Sequence, residues 1–234
     1  MYLQLTTRCQ MTCSHCCWSC TSSGQDMPMQ AFKEAIRVAA SLEFPMPITL
    51  GGGEPTLHPL FWDMAEFASQ NLPEGHVGII TNGHDPEQAF RVLEWHLAGR
   101  LDAKLSQDKF HAPISQEVVS AFRKHGLILE SGGKLVKVGR ALQNGIGDSV
   151  RHDGTPICIC DEFFMPPSGE IFSCGCKLMS FGTDPSAWEN AFESFFRTEL
   201  YSCVSVSRWK SERLQRLMSK SKGTTLVRPE AVPR

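Results

Sequence analysis

The chain has 234 residues, of which 41% are hydrophobic, and its formal net charge is -2. This hydrophobic content is typical of a globular protein with a sizeable core, which excludes an intrinsically disordered chain, and the near-neutral charge excludes a bulk attraction to nucleic acid or membrane. No segment approaches the roughly 18 consecutive apolar residues of a membrane span, and the N-terminus lacks the pattern of a signal peptide. We therefore expect a cytoplasmic protein without a membrane partner, in which clustered cysteines indicate metal or redox chemistry rather than disulfides.

Short apolar segments alternate with amphipathic ones through residues 1–142. The pattern predicts strands at 2–7, 47–50, 76–81 and 101–106, and helices at 27–42, 60–70, 86–98 and 115–125. In the first helix the apolar residues of one face are Met29, Phe32, Ile36 and Ala39. Asp26 and Pro28 precede that face as signals for a helix start.

This alternation predicts an α/β fold in which helices cover a parallel sheet. Two further strand segments follow at 127–142, "LILESGG" and "KLVKVGRAL", before the alternation stops. We therefore expect about six strands in an incomplete barrel, because a complete barrel of eight units needs roughly 250 residues. Active sites of such folds lie at the carboxyl ends of the strands. The cysteine-rich segment, "GGGEP", "TNG" and "SQDKFH" each follow a predicted strand and are expected to share that rim.

Residues 8–20, "RCQMTCSHCCWSC", contain five of the ten cysteines. The spacing C-x3-C-x2-C occurs in them twice, first as Cys9, Cys13 and Cys16 and again as Cys13, Cys17 and Cys20. Three thiolates at this spacing can bind three irons of a cubane iron-sulfur cluster, which leaves the fourth iron open to a ligand. Zinc is the competing metal, although a structural zinc site needs four ligands, commonly two cysteine pairs separated by a longer loop.

The segment "LTTRCQMTCSHC", directly after the first predicted strand, resembles the cluster motif of radical S-adenosylmethionine (SAM) enzymes. Those enzymes have a partial (β/α)6 barrel, so the resemblance implies the same fold class. The residue before the last cysteine of their motif is usually aromatic, and here it is His15 in the first register and Ser19 in the second. The resemblance therefore favours the first register, in which Cys9, Cys13 and Cys16 bind a 4Fe-4S cluster. It also implies that His15 lies near the SAM nucleoside.

A second segment, "ITLGGGEPTLHP", resembles the GGE motif after the second strand of the same family. Glycines allow a backbone to approach a ligand closely, and a carboxylate can pair with the ammonium group of methionine. The resemblance thus implies that Gly52, Gly53 and Glu54 bind SAM and that Pro55 shapes the turn.

The segments "IITNG", "LSQDKFH" and "VGRAL" resemble later strand ends of the family. They extend the implied cofactor-binding set with Asn82, Ser106, Asp108 and Arg140. Ser106 is a candidate for the SAM ribose or carboxylate, and Arg140 is either a carboxylate ligand or a surface cation. His111 and Asp108 are candidate catalytic residues toward a substrate, although a lone histidine is more often a hydrogen-bonded loop residue.

The resemblance implies an activity. A reduced 4Fe-4S cluster binds SAM and cleaves it to methionine and a 5'-deoxyadenosyl radical, which abstracts a hydrogen atom from a substrate. The substrate class stays open between a peptide or protein and a small metabolite or nucleotide, and the electron donor would be a flavodoxin or ferredoxin. The alternative is a non-catalytic zinc- or iron-sulfur-binding interaction protein, which gives no reason for the GGE segment.

A second cysteine group lies beyond a connector at 143–157. Its members are Cys158, Cys160, Cys174 and Cys176, which flank a predicted hairpin that turns at 167–169. The spacing resembles the opening of the SPASM and twitch extensions of some radical SAM enzymes, which implies at most one auxiliary iron-sulfur cluster; zinc and unliganded thiols are the alternatives. Cys203 follows alone, after a predicted helix at 186–200.

These features predict three regions. Residues 1–142 are expected to form the radical SAM partial barrel, 143–203 a twitch-like extension, and 204–234 a basic tail. The tail is the one feature that would suit a nucleic acid or a phosphorylated substrate, but it lacks the interleaved aromatic residues of a nucleic-acid-binding segment.

Overall fold

The computed structural model describes the chain at residues 1–42, 45–129, 135, 137–147, 163–172 and 182–188. Its elements are β1 (Tyr2–Thr6), α1 (Met29–Ser41), β2 (Ile48–Gly52), a 3-10 helix (Pro55–Leu57), α2 (Phe61–Asn71), β3 (Val77–Thr81), α3 (Pro86–Leu97), β4 (Asp102–Ser106), α4 (Gln116–Lys124), β5 (Ile128–Leu129), α5 (Gly139–Gln143) and β6 (Phe164–Met165). The four strands and four helices predicted between residues 2 and 125 are confirmed, each within two residues of its expected bounds.

The six strands form one open parallel sheet in the order β5-β4-β3-β2-β1-β6. Because all strands run in the same direction, the loops after β1, β2, β3 and β4 meet at one edge of the sheet. The predicted α/β class with about six parallel strands is confirmed. Within the described ranges, no helix combines the length and hydropathy needed to cross a membrane.

The helices pack on one face of the sheet and enclose the main hydrophobic core. In β1, Leu3 and Leu5 are completely buried in this core together with Phe32 and Ile36 of α1. Each such side chain contributes about 1.5–3 kcal/mol relative to an exposed position. Side chains alternate between the two faces of a strand, so Gln4 points away from the helices and toward the opposite face.

The sixth strand comes from a later part of the chain than the sequence pattern predicts. A strand was expected within 134–142, but Gly139–Gln143 form α5, and the sheet is completed by Phe164–Met165 beside β1. A short apolar alternation cannot by itself distinguish a sheet edge from another extended segment. Here Gly139 adopts a φ of +55° and the Arg140 amide donates to the carbonyl of Cys16, which directs the segment to the cysteine-rich loop.

The predicted hairpin at 162–174 is confirmed for the residues that the structure describes. Phe164 and Phe172 exchange both main-chain hydrogen bonds, at 3.0 and 2.8 Å. Gly169 closes the turn with a φ of +79°, a conformation that glycine adopts without steric cost. The predicted helix at 186–200, the second cysteine group, Cys203 and the basic tail lie wholly or mostly outside the described residues, and the three predicted regions stay predictions.

Candidate functional site

The cysteine-rich segment forms a loop between β1 and α1 whose two limbs are joined near the strand end. The amide of Cys9 donates to the carbonyl of Thr21 (2.6 Å), and Arg8 forms an ion pair with Asp26 (2.8 Å). Asp26 was expected to start α1, but the helix begins after Pro28 without a side-chain cap. The carboxylate of Asp26 instead stabilises the base of the loop.

The five cysteines of this loop are free thiols at different depths. Cys9 and Cys20 are buried, and the other three are half-buried. Cys9, Cys20 and Met11 form a small apolar cluster, against which Cys13 and Cys16 pack. Members of both registers therefore share one compact site, and packing alone does not separate them.

The thiols differ in acidity. Burial raises the pKa of Cys9 to about 11, and the negative charge of Glu54 adds to the shift. The pKa of Cys16 is lowered, chiefly because the Cys20 thiol donates a hydrogen bond to it, and the same hydrogen bond raises the pKa of Cys20. Of these three thiols, Cys16 is therefore the one that ionises most readily. Since only thiolates bind metals, loading Cys9 must release a proton.

The GGE turn packs directly on this loop. The amide of Gly53 donates to Thr6, and the amide of Glu54 donates to Arg8, both at 2.8 Å. A Cβ atom built on Gly53 would collide with the carbonyl of Arg8 and would lie 2.8 Å from the Cβ of Cys9. Only glycine permits this approach, so the end of β2 lies beside the first cysteine of the first register.

The Glu54 carboxylate is buried, with 1% of the residue exposed. One oxygen accepts hydrogen bonds from the hydroxyls of Thr56 (2.7 Å) and Thr81 (2.9 Å), and the other accepts from the amide of Asn82 (2.7 Å). Burial raises the pKa of Glu54, and these donors oppose the shift. The carboxylate thus joins the ends of β2 and β3, and each of its oxygens already has a donor from the chain itself.

Three ionisable side chains converge where β4 ends. His111 Nδ1 lies 2.8 Å from one oxygen of Asp108, and His15 Nε2 lies 3.5 Å from the other. Ser106 Oγ lies 3.4 Å from His111 Nε2. Burial lowers the pKa of His15, and the negative charge of Asp108 opposes that shift. Asp108 therefore holds two imidazoles and connects the cysteine-rich loop to β4.

Arg140 holds the same loop from the side of α5. Its guanidinium donates to the carbonyls of Cys13 (3.0 Å) and Cys20 (2.5 Å), while its amide donates to Cys16 (3.0 Å). Asn144, one turn later, donates to the carbonyl of Ser14 (2.9 Å). Arg140 was expected at a strand end as a carboxylate ligand or a surface cation, but its partners in this structure are main-chain carbonyls.

The structure brings most of the predicted site residues together at one sheet edge. They are Cys9, Cys13, Cys16, His15, Gly52, Gly53, Glu54, Pro55, Asn82, Ser106, Asp108 and His111. Cys158, Cys160, Cys174 and Cys176 lie outside the described residues. Sequence reasoning missed the link from His15 to Asp108 and the support of Glu54 by Thr81. The position of Thr81, directly before "NG" at a strand end, was the available signal.

Comparison with known proteins identifies the family of one segment. Residues 3–98 match the family model described as "Radical SAM superfamily". These residues form a radical SAM segment. This matched segment contains both the cysteine-rich loop and the GGE turn, and its end coincides with α3.

Two curated relatives match about half of this chain. Mycofactocin maturase MftC of Mycobacterium ulcerans (strain Agy99) is 30% identical over 125 residues, which is 50% of this chain and 31% of the relative. The protein of the same name from Mycobacterium tuberculosis (strain CDC 1551 / Oshkosh) is 30% identical over 123 residues, 49% of this chain and 29% of the relative. The match therefore spans less than a third of the length of either relative.

Two solved structures share the fold. BtrN, crystallised with AdoMet and 2-DOIA, aligns with a TM-score of 0.56 at 14% identity, covering 94% of this chain and 88% of BtrN. The structure of anSMEcpe with bound AdoMet and the Cp18Cys peptide aligns with a TM-score of 0.52 at 13% identity, covering 95% and 98% of the two chains. At these identities the likeness shows the partial-barrel fold alone.

The residues present fit a 4Fe-4S cluster with SAM. Three cysteines of one loop supply soft ligands, and Gly53, which has no side chain, lies directly beside the first of them. Three buried side-chain atoms of the described residues have no hydrogen-bond partner: Gln10 Oε1, His15 Nδ1 and Gln107 Oε1. All three belong to the loops after β1 and β4, and a polar cofactor there would supply partners that the chain lacks.

Proposed function

We propose that this protein cleaves SAM reductively at a 4Fe-4S cluster held by Cys9, Cys13 and Cys16 and uses the product radical to modify a peptide. The observation that carries the proposal is the contact between the cysteine-rich loop and the GGE turn. Asn82 Nδ2 lies 3.6 Å from the sulfur of Cys9, and Gly53 abuts the same residue. Structural zinc would not require a glycine turn and a buried amide donor beside a ligand.

When bound, the cluster and SAM supply one electron and a 5'-deoxyadenosyl radical. The chain's own residues position and shield that chemistry. Glu54 fixes the strand ends on which the glycines lie, and Arg140 fixes the loop carbonyls. Asp108 orients the imidazoles of His15 and His111 toward the region of the nucleoside.

A peptide substrate is supported by two similarities. The curated relatives are named as mycofactocin maturases, and one structural neighbour was solved with a peptide bound. Because the match spans less than a third of either relative, the substrate and the electron donor of this chain are part of the proposal. An auxiliary cluster at the second cysteine group also stays a prediction.

The test is anaerobic reconstitution with iron and sulfide, followed by reduction and assay of 5'-deoxyadenosine formed from SAM. Cys9→Ser should abolish both the cluster absorbance and SAM cleavage. Cys20→Ser is the matched control, since a serine hydroxyl can still donate to Cys16 and the cluster should be retained. Loss with Cys20→Ser but not with Cys9→Ser would establish the second register. A colourless protein that holds only zinc and does not cleave SAM would refute the enzymatic proposal.

A further inference from the structure

A cavity of about 450 Å³ lies beside the end of the cysteine-rich loop. It is bounded by β1, the end of that loop, the residues before α5, and the β6 hairpin. The walls that matter for its chemistry are Gln4, Trp18, Val138, Pro166, Pro167 and Phe172. Its size is within the range of about 300–1,000 Å³ that is typical of small-ligand pockets.

Rigid apolar groups form much of the wall. Trp18 stacks on Phe164 with ring centroids 4.5 Å apart and an interplanar angle of 10°, and Tyr2 lies against both rings at 6.0 Å. The two prolines of the hairpin have restricted backbones and no amide hydrogen. The side chains of this wall would therefore lose little conformational freedom when an apolar group binds in the cavity.

The shape of the opposite wall is also constrained. Ser19, which lines the cavity, adopts a φ of +54°, in the left-handed region that non-glycine residues seldom occupy. A Cβ atom built on Gly139 would collide with the carbonyl of Cys17, so α5 and the loop are in direct backbone contact. Strained backbone of this kind persists where the surrounding structure holds it, and it is concentrated at functional sites.

One polar side chain of the cavity wall is available to a ligand. Gln4 is only 4% exposed, lies on the face of β1 that points away from the main core, and lines the cavity. Among the described residues its carboxamide makes no hydrogen bond. A ligand that offers both an N–H and a C=O would satisfy it.

We propose that this cavity binds one apolar residue of a peptide, with its side chain against Trp18 and the two prolines and its backbone amide on the carboxamide of Gln4. A carboxamide presents one acceptor and an NH2 donor, which match the C=O and N–H of a peptide backbone. This inference rests on the proposed peptide substrate and names the feature of the substrate that is recognised. The residues that line the cavity do not include His15, Asp108 or His111.

The experiment titrates the full-length, cluster-loaded protein with N-acetyl-L-phenylalaninamide and measures binding by ligand-observed NMR. N-acetylglycinamide, which lacks the side chain, is the control ligand. Gln4→Leu keeps a similar volume but removes both polar atoms, and it should weaken binding by about 30-fold, the effect of two lost hydrogen bonds of about 1 kcal/mol each. Trp18→Ala should weaken it comparably. Gln30→Leu, at an exposed glutamine of α1, is the matched control and should bind normally.

A second measurement needs no ligand. Because Gln4→Leu removes no hydrogen bond to the described residues, it should leave the thermal midpoint of the free protein unchanged or higher. A clear fall in the midpoint, equal binding of the two ligands, or wild-type affinity in both Gln4→Leu and Trp18→Ala would overturn the inference. SAM cleavage is measured separately in the wild-type protein. Cleavage without probe binding refutes the cavity assignment alone, whereas probe binding that follows the variants, without cleavage, refutes the proposed function alone.

Discussion

Replacement of Arg140 by alanine tests whether α5 holds the cysteine-rich loop in its cluster-binding shape. The change removes two hydrogen bonds from a charged donor to the carbonyls of Cys13 and Cys20, but leaves the bond from the residue 140 amide to Cys16. Arg140 is half-buried, so each lost bond is taken at about 1 kcal/mol. The sum of about 2 kcal/mol corresponds to a factor of about 30 in the equilibrium between the closed and opened loop.

Iron loss provides the assay. The reconstituted protein is mixed with a coloured iron chelator under anaerobic conditions, and the rate of iron release is recorded. If release passes through the opened loop, Arg140→Ala should lose iron about 30-fold faster than the wild-type protein. Arg140→Lys should fall between the two, because a lysine keeps the charge but lacks the planar fork that contacts two carbonyls.

Arg123→Ala is the matched control, since Arg123 is an exposed cation near the end of α4. It should release iron at the wild-type rate. Equal rates for Arg140→Ala and the wild-type protein would refute the assignment of Arg140 to the loop. Equal acceleration by Arg123→Ala would show that net charge, rather than the two hydrogen bonds, governs retention.

Two further predictions concern the strand ends. Glu54→Ala leaves the hydroxyls of Thr56 and Thr81 and the amide of Asn82 without their acceptor, and it should lower the free energy of unfolding by about 2–4 kcal/mol in a denaturant titration. Glu54→Gln should lower it clearly less, and equal losses for the two variants would contradict the hydrogen-bond account. Asp108→Ala removes the carboxylate that holds His111 and should weaken SAM binding about tenfold, measured by calorimetry. Asp102→Ala, at an exposed aspartate, is the control, and unchanged affinity in Asp108→Ala would show that the network does not position the cofactor.

Local patterns were sufficient to predict the first four strands and the helices that follow them. Leu3 and Leu5 alternate with polar residues in β1, and helical spacing in α1 places Phe32 and Ile36 in the core. Because parallel strands bring their carboxyl ends to one edge, the same patterns also predicted that the cysteine-rich segment and Glu54 would be neighbours. These features depend on the identity and spacing of residues close together in sequence.

The features that sequence reasoning missed depend on contacts between distant residues. Asp108 contacts His15, and Arg140 contacts Cys13, across long stretches of chain. Neither pair shares a periodicity or a motif, so only the folded sheet brings the partners together. The predicted position of the sixth strand was wrong for the same reason. Phe164 pairs with Tyr2 of β1 and its ring stacks on the Tyr2 ring, tertiary contacts that no local pattern records.

The cysteine-rich loop is held from three independent directions. Gly53 contacts it from β2, Asp108 from the end of β4, and Arg140 from α5. Its small apolar cluster around Cys9 is separate from the main core beneath the helices. Because the cysteines of the loop lie outside the main core, we expect the sheet to fold before metal binds, without the free energy of metal binding. That arrangement differs from small zinc domains, in which metal binding and folding are one event.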